Sequence, residues 1–449
     1  MKKVIPFLIF LLILIFVFMA IWLNRKEPVV SVNVPAPKSW FASSTTTLPD
    51  SVTPFLNDDT TNATFHLWAW QEFLALTRSN DKTAPFQKYI QVDNDTVPLG
   101  NMIQLRDSSQ AGTNGVMYDK AGRAVYYTMH VNKPMYDFQQ KYRRIFGKIF
   151  ANHQGKSNRD ALINAELKQK GYDTINYPVG CVELKTSWML ASSLDFSKVK
   201  RSDYYITWAM LNGKKVKVAL IGMHVVGRVA NHPEFIWATF EHDEMVPDYA
   251  WSYSGYPHLG DTLSNKDYLF YEKGNVIGNC LMNNNSASFA QFSSIFNIYP
   301  LGIARSFTDN TLPTTLDKLN NATIVSLNAN VKKQLKRKGE VWQHYFYKGS
   351  IWLDAVTTNY GPGNGYLGVL TNPSLRGSRA VSNITMETFA QLNFSGNYTT
   401  ESMNCFGCHA TVDYKNVQPG TNDSLSYNLA LSHLFKNTLM RYYYDSIAP

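Results

Sequence analysis

Apolar positions recur at helical spacing in some stretches of this chain and at every second residue in others, and that contrast divides it into elements. From Asn62 or Thr64 onward, Leu67, Trp70, Phe73 and Leu74 fall on one side of a helix whose tryptophans read as core. A second helix runs from Pro134 to about Phe150. Asn132 caps it, Pro134 suits its first turn, and Met135, Phe138, Tyr142, Ile145, Phe146 and Ile149 form its apolar stripe opposite Lys141, Arg144 and Lys148. A third helix, Arg159 to Lys170, stops at Gly171, and a fourth, Leu316 to Lys338, stops at Gly339. Alternation marks strands at Val182 to Thr186, at Lys215 to Leu220 continuing through Val226, at Phe235 to His242, and at Tyr345 to Ala355. Strict alternation places His224 on the face of Val216, Val218 and Leu220.

Three stretches follow neither period. Residues 4–23 carry no charge, are long enough to cross a hydrocarbon core of ~30 Å, and stay bulky up to Leu23, so residues 1–26 read as an uncleaved membrane anchor. Residues 27–61 hold Pro28, Pro35, Pro37, Pro49 and Pro54 among Ser and Thr, the composition of a tether. Residues 248–311 are rich in Tyr, Ser, Asn and Gly and read as loops. The expected fold is therefore α+β: one large mixed helix and strand exported domain at 62–404 with a C-terminal segment at 405–449, preceded by one N-terminal transmembrane helix.

Composition changes this picture little. With 45% hydrophobic and 14% aromatic residues the exported part can build a large core, which excludes disorder for most of it. The net charge of +9 comes partly from clusters at Lys141/Arg143/Arg144, Lys214/Lys215/Lys217 and Lys332 to Lys338. Outside the cytoplasm these are no nucleic-acid footprint. They read as a solvated face, or as a field that steers an acidic redox partner.

The chemistry concentrates in Cys405-Phe406-Gly407-Cys408-His409. Two thiols separated by two residues can each form a thioether to one porphyrin, and the adjacent imidazole reaches the iron from the same side. In a chain with only 4 Cys and 10 His this run is not expected by accident. A zinc site needs a second Cys/His pair at ligand spacing, which the chain lacks. The cofactor implied is one covalent c-type haem on Cys405 and Cys408, with His409 on the iron. That chemistry belongs to exported proteins, so the globular part is expected on the periplasmic side of the cytoplasmic membrane.

Other signals fall away. Gly363-Asn364-Gly365-Tyr366-Leu367-Gly368 matches a dinucleotide fingerprint, but Asn372-Pro373 leaves no room for the helix it requires. Glu241-His242-Asp243-Glu244 reads as a solvated strand end, and Lys185 as an outward strand lysine or a haem propionate partner. Cys181 and Cys280 are either a disulfide or two buried thiols.

Several stretches resemble a group of bacterial cytochrome c family proteins with a single C-terminal haem motif. They are Trp70 to Leu76, Val182 to Trp188, Gly222-Met223-His224, Ile236 to His242, and Met386 to Phe389 ahead of the motif. The resemblance implies a haem and names no reaction. Thr77-Arg78 stands where that group carries an Asn-Trp-Pro run. For the second axial position the candidates are Met440 and His433 from the tail, or His224 and His242 from the large domain. Both positions filled would make a membrane-anchored single-haem electron carrier, the reading adopted here. The alternatives are a haem-dependent oxidoreductase with an open iron site for peroxide or small ligands, and a non-catalytic haem sensing or assembly subunit.

Overall fold

The computed structural model describes residues 32–55, 63–81, 83–92, 102–109, 115–194, 200–249, 260–280, 294–295, 297–298, 315–353, 375–378, 381–388, 405–409, 412–413, 425–436 and 439. The chain divides into two units, Met1–Val32 and Asn33–Pro449, and every described element belongs to the second. Its centre is a nine-stranded sheet in the order β1 (Ile90–Val92), β3 (Tyr126–Val131), β4 (Val182–Leu190), β6 (Lys214–Val229), β7 (His232–His242), β10 (Tyr345–Leu353), β11 (Leu375–Gly377). β5 (Ile206–Leu211) pairs with the first half of β6, and β2 (Ile103–Leu105) runs parallel to β5. All the other pairs in the sheet are antiparallel, and β8 (Asp248–Tyr249) and β9 (Asn297–Ile298) form a separate parallel pair.

The alternating runs became strands because each can bury a face on either side. β7 is buried along its whole length, as expected of a strand between β6 and β10. Asn212 and Gly213, both at positive φ, close the two-residue hairpin from β5 to β6. The helices also follow the pattern: α1 (Ala63–Thr77), α2 (Lys133–Asn152), α3 (Arg159–Gln169) and α4 (Thr315–Arg337). The Asn132 side chain accepts a hydrogen bond from the Met135 N–H, the N-cap anticipated for α2.

Helices cover both faces of the sheet. On one, Phe73 of α1 stacks on Phe240 at 4.1 Å, and the Trp70 indole donates to Asn328 of α4. Trp70 is thus core, as its spacing suggested. On the other face, Met135, Phe146, Ile149 and Phe150 of α2 and Ile163 and Leu167 of α3 join Val131, Val226 and Trp237 of the sheet. Phe406, Leu425, Leu431, Leu434 and Phe435 complete that cluster, so the C-terminal segment is part of the main core.

A bulge decides which face carries His224. Ser187 of β4 pairs with Gly222 of β6, but Trp188 pairs with Leu220, so Ile221 is an extra residue. Because alternation restarts there, His224 points to the face opposite Val218 and Leu220, contrary to the strict alternation read from sequence.

Further expectations are corrected by packing. The stretch expected as a tether instead lies on the body from Asn33 to Phe55: Val34 N–H donates to Ser326, Trp40 and Phe41 are buried, and Trp68 donates to Ser51. Arg78 is fully buried, forms a bidentate pair with Glu340, and donates to the carbonyls of Trp40 and Ser43 and the hydroxyl of Thr46. Glu241 and His242 are buried rather than a solvated strand end, because β10 lies against their strand. Arg143, read from sequence as part of a surface cluster, is buried. Among the described residues no helix is long and apolar enough to cross a membrane. The expected anchor at residues 4–23, Met440 and the glycine-rich run at 363–368 lie outside the described residues.

Cys181 and Cys280 are both buried free thiols, with burial pushing their pKa values up to about 12 and about 11. Denatured without reductant, the protein should therefore show both as alkylatable thiols by mass spectrometry, and a protected pair would contradict this. Gly222 lies where a Cβ would come 2.8 Å from the Ser187 hydroxyl and 2.9 Å from Asn383 Oδ1. Gly222→Ala should therefore cost about 1–3 kcal/mol, read as a lowered denaturant midpoint with an unchanged slope.

Candidate functional site

The Cys405–Cys408 turn, α5, is helical, and the His409 N–H donates to the Cys405 carbonyl at 2.7 Å, extending the same turn. Cys405, Cys408 and His409 are thus spaced by three and four residues along one helical turn. Phe406 is buried and anchors this turn against Trp237 of β7. The His409 imidazole touches two rings: Trp237, tilted by 42° with centroids 4.1 Å apart, and His433, stacked at 3.9 Å with planes 16° apart.

One hydrogen bond fixes the chemistry of that ring. His409 Nδ1 is 2.7 Å from the Leu431 carbonyl oxygen, which can only accept, so Nδ1 carries the proton. In the neutral imidazole Nε2 then keeps its lone pair. Burial, followed by the charges of His433, Lys185 and His224, holds the His409 pKa well below the ordinary histidine value. A neutral imidazole with Nδ1–H bonded to a backbone carbonyl is the form in which histidine binds a metal through Nε2. With the two cysteines of the same turn, the donor set fits a c-type haem.

The Leu431 carbonyl is held in place by a buried polar network. Ser432 donates to Glu183 of β4 at 2.7 Å, and Gln139 of α2 donates to Ser432 at 3.1 Å. Arg143 of α2 donates to the Gln139 side chain and to the Leu434 carbonyl, while the Tyr177 hydroxyl donates to the Leu429 carbonyl. The tail is thus tied to the sheet and to α2 on both sides of Leu431. Burial raises the Glu183 pKa to about 7, against the lowering effects of Ser432 and Arg143.

The large-domain histidines take different roles from those anticipated. His224 is on the motif's face of the sheet, but both its nitrogens are engaged: Nδ1 with the Thr239 hydroxyl at 2.8 Å and Nε2 with Glu387 at 2.9 Å. In this arrangement it offers no lone pair to an iron. His242 points to the opposite face, stacks on Tyr204 at 3.9 Å, and uses its nitrogens on the Asp203 carbonyl and the Glu244 N–H. Burial pushes its pKa down to about 3. His433 alone of the described candidates touches His409. Lys185 is only partly exposed: it pairs with Glu387 at 3.5 Å and lies over the Tyr127 ring. Burial would raise the Glu387 pKa, but His224 and Lys185 together outweigh it and hold the carboxylate down near about 2.

Trp237 and Glu387 went unremarked as individual residues in the sequence, although both lie in or beside stretches that carried the resemblance. Their signal was the apolar and acidic residue in a strand and a Thr-rich loop, and nothing local distinguishes that from core. Among the described residues no cluster of three or more His, Cys, Asp or Glu is arranged to hold a metal ion. An open cleft elsewhere is lined by Thr77, Arg78, Tyr205, Glu340 and Trp342 and includes no motif residue.

Glu183 generates a pH test. A folded pKa near about 7, above the 4.5 of a free carboxyl, means that the unfolded chain releases this proton first as pH rises. Stability relative to Glu183→Gln should therefore be greatest below pH 4.5 and fall by roughly 3 kcal/mol up to about pH 7, then level off. Denaturant titrations of both proteins across that range check it. A comparison with protein-family models finds no match for this chain, and neither do comparisons with curated proteins and with solved structures.

Proposed function

We propose that this chain is a membrane-anchored c-type cytochrome that transfers single electrons on the periplasmic side of the cytoplasmic membrane. Cys405 and Cys408 would hold the haem through thioethers and His409 would bind its iron. The observation that carries this reading is the His409 tautomer: the Cys-x-x-Cys-His turn ends on a neutral imidazole whose Nδ1–H is bonded to the Leu431 carbonyl. Bound there, the haem supplies a one-electron couple. The chain's own residues orient it. Leu431 sets the tautomer, contacts with Trp237 and His433 fix the ring, and the network of Glu183, Ser432, Gln139 and Arg143 holds Leu431 in place. Residues 4–23 would anchor the protein, and the net charge of +9 suits an acidic redox partner.

A second reading, a haem-dependent oxidoreductase with an open iron site, is favoured by the engagement of both nitrogens of His224 and of His242. Under the electron-carrier reading the second ligand comes from the tail: His433, stacked on the His409 ring, lies on the proximal side, which leaves Met440 as the candidate.

The test is expression with a haem-attachment system, followed by a pyridine haemochrome spectrum. A covalent haem is expected in the parent protein, and none in the Cys405→Ala/Cys408→Ala double variant. Colourless, correctly exported parent protein with unmodified thiols at both positions would refute the proposal. Carbon monoxide separates the two readings: the spectrum of the reduced protein should stay unchanged for an electron carrier and shift for an open site.

A further inference from the structure

The end of the sheet remote from the haem motif presents a basic surface built around one exposed tryptophan. Trp208 of β5 is 45% exposed, although the other tryptophans among the described residues are buried. It pairs across the hairpin with Lys217, and Met210 pairs with Lys215. Trp208, Met210, Lys215 and Lys217 therefore share one face of the hairpin. The Lys215 and Lys217 ammonium groups lie over the indole, 4.8 Å and 5.0 Å from the ring centroid, and both lysines are exposed. Lys214, also exposed, adds a third charge beside the Asn212-Gly213 turn. Between Asp203 and Glu234 the sequence holds no acidic residue to offset them.

This face does not belong to the core. Ala209, on the other side of β5, is completely buried, so the hairpin is secured without Trp208. The two ammonium groups lie over the indole without covering it, so an apolar ring and its charges are presented to the surroundings together.

We propose that this hairpin docks on an anionic phospholipid surface, with the Trp208 indole at the headgroup level and Lys214, Lys215 and Lys217 on lipid phosphates. The residue types separate this occupant from an acidic protein. Tryptophan is enriched at both kinds of boundary, but lysine is depleted from protein interfaces, whereas anionic leaflets attract clustered lysines whose long stems keep the charge in the headgroups. The hairpin's tight turn keeps indole and ammonium groups on one rigid edge, so no ordering of a loop opposes docking. This inference is independent of the haem.

The experiment uses the full-length chain in nanodiscs of phosphatidylcholine alone and of phosphatidylcholine with roughly a quarter phosphatidylglycerol, with the acylation rate of each lysine read by mass spectrometry. Lys214, Lys215 and Lys217 should react about ten-fold more slowly in the anionic discs, with the protection lost at high salt and in Trp208→Ser/Lys217→Glu. Exposed Lys156 and Lys336 should react alike in both discs. The altered side chains are exposed, and continued protection of the buried Lys348 in the variant reports that it is folded. Equal labelling of the hairpin lysines in the two discs would overturn the proposal. So would protection by polyglutamate but not by the anionic discs, which would assign the surface to an acidic protein.

Discussion

The extra residue in β6 at Ile221 is the constraint on which the tail-side face of the sheet depends. A β-strand turns alternate side chains to opposite faces, so one inserted residue exchanges the two sets beyond it. Upstream, Val218 and Leu220 face the α1 side; downstream, Gly222, His224 and Val226 face the tail. The bulge thus gives each half of a sixteen-residue strand a different apolar cover. Without it, His224 would lie under α1, and Gly222 would not leave the space that Thr385 and Asn383 occupy.

The tail-side face is polar in its middle and apolar at its edges, a costly arrangement that the structure compensates by pairing. Lys348 and Glu241 are both buried, 3.3 Å apart, and the same Glu241 oxygen accepts from the Ile384 N–H. Glu387 is bonded by His224 and by the Asn383 N–H. A buried ion pair seldom adds net stability over an apolar pair, but removing one partner strands a charge. Such pairs therefore specify where the 381–388 segment lies more than they strengthen the fold. The same logic applies to Glu183, whose contact with Ser432 links the tail to the central strands.

The α1 side is conventional by comparison. Phe73 stacks on Phe240, Phe65 stacks on Trp352, and Trp70 meets Phe73 and Phe240 edge-on, forming an aromatic layer. Arg78, at the end of α1, pins the segment from Trp40 to Thr46 through its guanidinium, so a stretch with the composition of a tether becomes part of the body. Proline and serine content says that a segment lacks periodic structure. It does not say that nothing packs against it.

The sequence by itself determined the helices and most strands, because periodicity is a local property that each segment carries with it: Asn132 caps α2, and Gly171 and Gly339 lie just beyond α3 and α4 at positive φ. It also located the Cys-x-x-Cys-His motif, which is written in five adjacent residues. Tertiary structure alone decided what surrounds that motif. Trp237, Leu431 and His433 come together at His409 from β7 and from the tail, and no spacing rule links residues so far apart in the chain. The face of His224, the burial of Arg143, Glu241 and His242, and the state of Cys181 and Cys280 were likewise beyond local reading. Each depends on which element lies opposite, and a single bulge or a returning segment changes that without altering the pattern from which a strand is recognised.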